Sequence, residues 1–188
     1  MELIIREYDK TAHLPEKYID LYIQAFPETE RRNWKSNNDA ESWLKKHDTC
    51  HSLLLFDGDM FIGFLNFWIL VFNDGQKEKK IIYGEHLVID PLRRGGGAGS
   101  FLMKHILNSY PCGLLLEIEP PVDDITCRRK ALYERLGLVF HSDIQYLQPA
   151  YFPGNSPIEL CIMSSPGISS YELEYHIIPV LKKTVYGK

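Results

Sequence analysis

Nowhere in the chain does an apolar run approach the roughly 20 residues needed to span a bilayer. The opening Met-Glu-Leu-Ile-Ile-Arg-Glu-Tyr has no basic segment followed by an apolar core, so no secretory signal is expected. Cysteine is scarce: Cys50, Cys112, Cys127 and Cys161 are widely spaced and form no Cys-x-x-Cys pair. That spacing argues against a disulfide framework and against a metal site, and suits free thiols in a reducing cytoplasm. An excess of positive charge is missing too. The formal net charge of −4 speaks against a general nucleic-acid or membrane-surface binder. No repeat or low-complexity segment interrupts the 188 residues. That length predicts one domain, 1–188, with a core large enough to enclose a cofactor cleft.

Glycine, by contrast, is concentrated in one place. The apolar run Leu87-Val88-Ile89 reads as a buried strand that stops at Asp90-Pro91. Arg93 and Arg94 follow, then Gly95, Gly96, Gly97, Ala98, Gly99 and Ser100. Beyond them Phe101, Leu102, His105 and Ile106 recur at helical spacing. A strand, a glycine loop and a helix in that order turn free backbone N–H groups and the positive helix end toward an anion. Two of the usual phosphate schemes do not fit. A Walker loop needs a lysine directly after its last glycine, and none stands there; a Gly-x-Gly-x-x-Gly fingerprint begun at Gly95 ends on Ser100. What remains is Arg94-x-x-Gly97-x-Gly99.

The other elements follow from periodicity and punctuation. A first strand is expected at Leu3 to Glu7, and a helix from Pro15 that stops before Pro27. The charged segment Glu28 to Trp34 reads as a solvated turn, with a lip over a cleft as its sharper alternative. It leads to a second helix, Asp39 to Lys46. Strands His51–Phe56, Met60–Phe72 and Lys80–Ile89 are consecutive and hairpin-linked, hence antiparallel, with Gly63 a bulge or a point of close backbone approach. After the helix from Gly97 to Tyr110, the strand Leu114–Ile118 closes a βαβ crossover and should run parallel to its partner. A helix capped by Asp123 or Asp124 ends at Gly137, and two strands follow near Asp143–Leu147 and Ile158–Met163. Ser169 and Glu172 fit a capping box for a last helix, within 165–188, that Pro179 should interrupt. The expected class is mixed α+β.

With its surroundings, the Arg94-x-x-Gly97-x-Gly99 run resembles the GNAT superfamily of acyl-CoA-dependent N-acyltransferases, in its bacterial form. Ile89-Asp90-Pro91-Leu92-Arg93-Arg94 has the family's spacing between strand end and arginine. Ala131-Leu132-Tyr133-Glu134-Arg135-Leu136-Gly137-Leu138 resembles a second family motif, with Leu138 where an aromatic is usual. Phe-Pro-x-x-Glu-Arg-Arg at Phe26 to Arg32, Glu85-His86, and Gln148-Pro149-Ala150-Tyr151 match short signatures of similar bacterial members. The resemblance covers most of 1–165. It implies a mostly antiparallel central sheet with one parallel, splayed strand pair and helices on both faces. It further implies acetyl-CoA as co-substrate, its pyrophosphate held by the backbone of Arg94, Gly95, Gly96, Gly97, Ala98 and Gly99 with the Ser100 hydroxyl. A backbone N–H near Val88 or Ile89 would bind the thioester carbonyl, and Thr126 stands where the family often has a cofactor-contacting asparagine.

The acceptor this implies is a small-molecule or peptide amine, and the reaction a direct transfer of the acetyl group. For the base, Glu85 shares a strand face with Leu87 and Ile89, and partial burial there should raise its pKa. Glu117, on the neighbouring strand, is the second candidate for base or for holding a substrate ammonium. Tyr133 is the general acid by resemblance alone. His86 points to the opposite face and reads as a packed histidine. Tyr146, Tyr151 and Phe152 fit an acceptor-site wall and ordinary hairpin packing equally well. Glu28, Glu30, Glu85 and Glu117 hint at a cationic acceptor. The last helix offers a face for a homodimer. The rival reading is a catalytically silent acyl-CoA sensor.

Overall fold

The computed structural model describes residues 2–188. They group into two compact units: residues up to Trp68 with Glu85–His105, and Ile69–Gly84 with Ile106–Lys188. Seven strands and four regular helices are distributed over them, with a further helical stretch at the end.

In the first unit the strands β1 (Leu3–Glu7), β2 (Cys50–Asp57), β3 (Met60–Asn73) and β4 (Glu78–Ile89) are neighbours in that order. β3 is buried without a break from Phe61 to Trp68, the pattern of a strand covered on both faces. Asp57-Gly58 makes the expected β2–β3 turn, with Gly58 at φ +59°. Beyond the turn Leu55 pairs with Gly63 but Phe56 with Phe61, so Ile62 is an extra residue in β3. The bulge brings Phe61 and Phe64 to the same face, where Tyr18 stacks on both, at 6.3 and 4.2 Å between centroids. Tyr18 belongs to α1 (Tyr18–Ala25), which ends where Phe26 turns extended before Pro27. α2 (Asn37–Lys46) starts earlier than the apolar spacing suggests, because Ser36 and Asp39 form a reciprocal capping box.

Gly63 is both things the sequence offered, a neighbour of the bulge and a close approach. A Cβ there would lie 2.3 Å from the Val88 carbonyl oxygen and 2.9 Å from the Ile89 side chain. Beside it the Asp90 N–H bonds to the Ile62 carbonyl at 2.8 Å.

The second unit holds the outer part of the β3–β4 hairpin, β5 (Leu114–Ile118), β6 (Val139–Gln148) and β7 (Ile158–Ser164). Its strands lie in the order β3-β4-β5-β7-β6. β4 and β5 are the parallel pair, and their ladder has three rungs: Ile82–Leu114, Tyr83–Leu115 and Gly84–Leu116. The crossover helix is α3 (Ala98–Ser109). α4 (Asp124–Arg135) is capped by Asp123. β6 begins at Val139, earlier than expected, and its register on β7 shifts between His141 and Tyr146. From Ser170 to Tyr186 the chain is helical but not uniformly α. Wider π turns at Leu173–Ile177 and Lys182–Tyr186 flank an α turn at Ile178–Leu181 that contains Pro179. Proline has no N–H to give to an i→i−4 bond, which fits a break in the α ladder there.

Gly63→Ala should destabilise the protein by about 1–3 kcal/mol, because a backbone oxygen blocks the added methyl. A thermal melt followed by circular dichroism is expected to show a clearly lowered Tm, and Gly58→Ala, with open space around its Cβ, a smaller drop.

Candidate active site

The glycine loop in the first unit is built by its backbone. Asp90 accepts the Leu92 N–H on its side chain at 2.9 Å and the Arg93 N–H on its carbonyl at 2.8 Å, forming one tight turn over Pro91–Arg93. Gly95 and Gly97 then take φ of +84° and +83°, which side chains avoid; space is not the constraint, since nothing lies within 4 Å of the Cβ either would carry. The Gly97 carbonyl receives the Phe101 N–H at 2.9 Å, so Gly97 caps α3 and has no side chain to fill the first turn. The N–H groups of Ala98, Gly99 and Ser100 therefore have no acceptor within the helix.

The two arginines differ. Arg93 is held by Asp57 at 3.4 Å and by the Met60 sulfur, whereas exposed Arg94, among the described residues, donates from its Nε to the Ile89 carbonyl at 3.0 Å. A short anionic group such as a pyrophosphate fits these donors. Because Asp90 donates to β3, strand alternation turns the Ile89 N–H away from β3.

Glu85 is placed differently from what the sequence suggested. Its side chain is 1% exposed, and Arg32 meets it at 2.6 Å. The Trp68 indole N–H donates to its other oxygen at 2.8 Å. Burial pushes this carboxyl up, but the Arg32 guanidinium and His86 outweigh burial and hold it well below the usual carboxylate range. The expected rise in pKa is therefore reversed. The segment Glu28–Trp34 is the expected solvated turn only in part: Glu28, Thr29 and Asn33 are exposed, but Arg32 and Trp34 turn inward. The Arg32 guanidinium lies 3.9 Å over the Trp43 ring, the Arg32 backbone N–H donates to the Tyr22 hydroxyl at 2.7 Å, and Trp34 is buried. His86 is the packed histidine expected, edge-on to Tyr22 and Phe26 and bonded to the Glu30 carbonyl. The Phe26-to-Arg32 and Glu85-His86 signatures are thus one cluster.

Glu117, in the second unit, is the first β5 residue past the last rung of the parallel ladder. Four donors converge on its half-buried carboxylate: the hydroxyls of Tyr83 and Tyr186 at 2.8 Å, the Gln148 amide at 2.9 Å, and the Tyr146 hydroxyl. Here burial prevails over the hydrogen bonds, and the carboxyl is pushed up. Of this set, Tyr146 was visible in the sequence as one option for an acceptor wall, and Gln148 as part of the Gln-Pro-x-Tyr signature. Tyr83 and Tyr186 carried no local signal. The last helix is no separate appendage: Leu173, Ile177, Leu181 and Val185 are buried, and Tyr186 reaches Glu117.

Tyr133 lies in α4 with its side chain buried, which raises its pKa; nearby Arg129 works the other way. The second-motif spacing has a mechanical meaning. Gly137 adopts φ +91°, its N–H returns to Glu134, and the Leu138 N–H returns to the Tyr133 carbonyl at 3.1 Å. That helix stop anchors Tyr133. Thr126 has a structural task, as its hydroxyl joins the N-terminal box with Asp123 and accepts the Val122 N–H at 3.1 Å. A cavity of about 280 Å³ in the second unit, lined by Phe72, Lys79, Tyr110, Ser165, Ile168 and Glu172, contains none of the expected site residues. Among the described residues no group of side chains is arranged to hold a metal ion, and no helix is long and apolar enough to cross a membrane.

A glycine loop opening a helix after β4, a short parallel ladder and a tyrosine-bearing helix together define an acyl-CoA-type acyltransferase fold. Residues 15–138 match the model of the acetyltransferase (GNAT) family. The chain belongs to that family of acetyltransferases. Among solved structures, a GNAT-family protein from Bacteroides thetaiotaomicron is 26% identical, with 90% of each chain covered and a TM-score of 0.76. A Salmonella typhimurium protein solved with its cofactor acetyl-CoA is 15% identical over 87% of this chain and 93% of that one, at a TM-score of 0.57. Ribosomal-protein-alanine N-acetyltransferase from Brucella melitensis is 15% identical, covering 86% and 98%, at 0.61. The chain has no significant match among curated proteins.

Arg32→Met should leave Glu85 buried without its counter-ion, at a cost of about 3 kcal/mol. The pair's contribution is full above the carboxylate's unfolded pKa of about 4.3 and is lost as pH falls below it. Melts from pH 7 to 3 are expected to show the wild type approaching the variant only at the acid end.

Proposed function

We propose that the protein transfers the acetyl group of acetyl-CoA to a primary amine, with Glu117 as the base. The observation that carries this reading is the exposed glycine loop at the start of α3, where two positive-φ glycines leave three N–H groups and Arg94 available to a pyrophosphate. The Ser100 hydroxyl lies in the same turn. Acetyl-CoA supplies the acyl group as an activated thioester; this chain supplies anchoring, orientation and proton transfer. The N–H of Ile89, turned away from β3, suits the thioester carbonyl, and Val88 positions it.

An acceptor amine is protonated at neutral pH and must lose a proton before it can attack. A base for that step needs a pKa near the working pH, and the two glutamates differ in opposite directions. Glu85 is an ionised, arginine-paired group with almost no exposed surface, which suits holding the segment before Trp34 onto β4. Glu117 has the raised pKa and the half-open position. Tyr133, by its match to the second motif, is the proposed acid for the departing thiolate. The Thr126 hydroxyl is committed to its helix cap, so it has no part in this proposal.

Thiol release from acetyl-CoA over a panel of amines tests the reading, with CoA binding measured by calorimetry. Glu117→Gln should lower kcat by about 10²- to 10⁴-fold. Wild-type activity should fall on the acid side as Glu117 takes up its proton, and the variant's residual rate should lack that limb. Gly97→Val, strained at its positive φ, should weaken CoA binding without touching Glu117. If CoA binds and no amine is acetylated, the sensor reading replaces this one.

Tyr133→Phe is expected to slow turnover while CoA affinity and Tm stay near wild type. An unchanged kcat would make Tyr133 a packing residue.

A further inference from the structure

Burial alone would keep a proton on Glu117, yet four donors from three elements are gathered on it. Tyr83 comes from β4, Tyr146 and Gln148 from β6, and Tyr186 from the last helix. On β7 the ladder partner of Glu117 is the apolar Ile162. The last helix also brings the Lys182 ammonium, which stands 5.3 Å over the Tyr146 ring. Burial and the four donors, ahead of any charged group, decide when this carboxyl ionises.

Tyr186 is the junction of the set. Its hydroxyl donates to Oε2 at 2.8 Å, accepts from the Gln148 amide at 2.8 Å and lies 3.0 Å from the Tyr83 hydroxyl. The amide has a second proton, which reaches Oε2 itself at 2.9 Å. Packing does not call for a hydroxyl here. The half-exposed Tyr186 ring meets Tyr151 at 5.1 Å, a contact that phenylalanine would make as well. What the hydroxyl adds is a donor that favours the ionised carboxylate and so opposes burial.

The last helix is wound to deliver that hydroxyl. Leu173, Ile177, Leu181 and Val185 are buried at a constant spacing of four. An α-helix turns in about 3.6 residues, so this spacing would drift off one face. The wider π turns at Leu173–Ile177 and Lys182–Tyr186 take up the difference. Tyr186 directly follows Val185, the last of the buried stripe, and Gly187 ends the helix at φ +69°. All of this lies outside residues 15–138, the part of the chain that matches the family model.

We infer that Tyr186 is a positioning residue of the proposed reaction: delivered by the last helix, its hydroxyl holds Oε2 of Glu117 and sets how acidic the medium can become before the base is lost. This rests on Glu117 being that base.

The test is the pH profile of kcat at saturating acetyl-CoA and amine, with a carbon-13 NMR titration of the Glu117 carboxyl in the same proteins. Tyr186→Phe should move the acid limb and the titration midpoint up by about one pH unit, as expected for one hydrogen bond to a charged group. Replacing Tyr186 by 3-fluorotyrosine, a stronger donor of nearly the same shape, should move both the other way. Tyr171→Phe, at an exposed tyrosine on the same helix, should leave both in place. Should Tyr186→Phe fail to fold, the fluorinated protein decides alone. A lowered Tm with limb and midpoint unmoved makes Tyr186 a packing residue and overturns the inference, while the acetyltransferase reading stands. An acid limb that survives Glu117→Gln removes Glu117 as the base, and this inference with it.

Discussion

A parallel ladder of three rungs limits how far β4 and β5 pair. β4 runs twelve residues from Glu78 to Ile89, yet it pairs with β5 only through Ile82, Tyr83 and Gly84. Parallel strands need a crossover, and here the crossover must start from the far end of β4. That requirement puts the glycine loop directly after Ile89 and gives α3 a free N-terminus. The same short ladder makes Glu117 the first β5 side chain past the last rung.

The two glutamates illustrate how environment assigns different tasks to one residue type. Both are removed from water, which alone would raise both pKa values. Glu85 has a guanidinium and an indole N–H aimed at it and stays charged. Glu117 has only neutral donors, which soften the cost of burial without cancelling it. One carboxylate is thereby a structural anion, the other a group able to exchange a proton.

Much of the fold could be read in advance, because strand lengths, turn glycines and caps are local signals. Asp57-Gly58, Asp123, Ser169 and Gly137 all act where their chemistry suggested. The family could be read as well, since the Arg94-to-Gly99 run is contiguous. What escaped was long-range. That Arg32 would lie against Glu85, 53 residues away, changes the sign of a pKa shift and follows from no local pattern. Tyr186 reaches Glu117 across 69 residues. The short signatures Phe26 to Arg32, Glu85-His86 and Gln148 to Tyr151 were visible as strings, but only the fold shows that the first two are one contact. Thr126 shows the reverse case, a residue singled out for a ligand that its own helix start keeps occupied.

The aromatic packing around Arg32 has a spectroscopic side. The chain has three tryptophans, Trp34, Trp43 and Trp68, and all lie in the first unit. Trp43 stands 5.4 Å from each of the other two. Indole emission therefore reports on that unit alone, and Trp68, bonded to Glu85, senses the carboxylate directly. The second unit contains only tyrosine as a fluorophore. Excitation at the red edge, where tyrosine is dark, therefore follows the Arg32 cluster without a contribution from the tyrosines around Glu117.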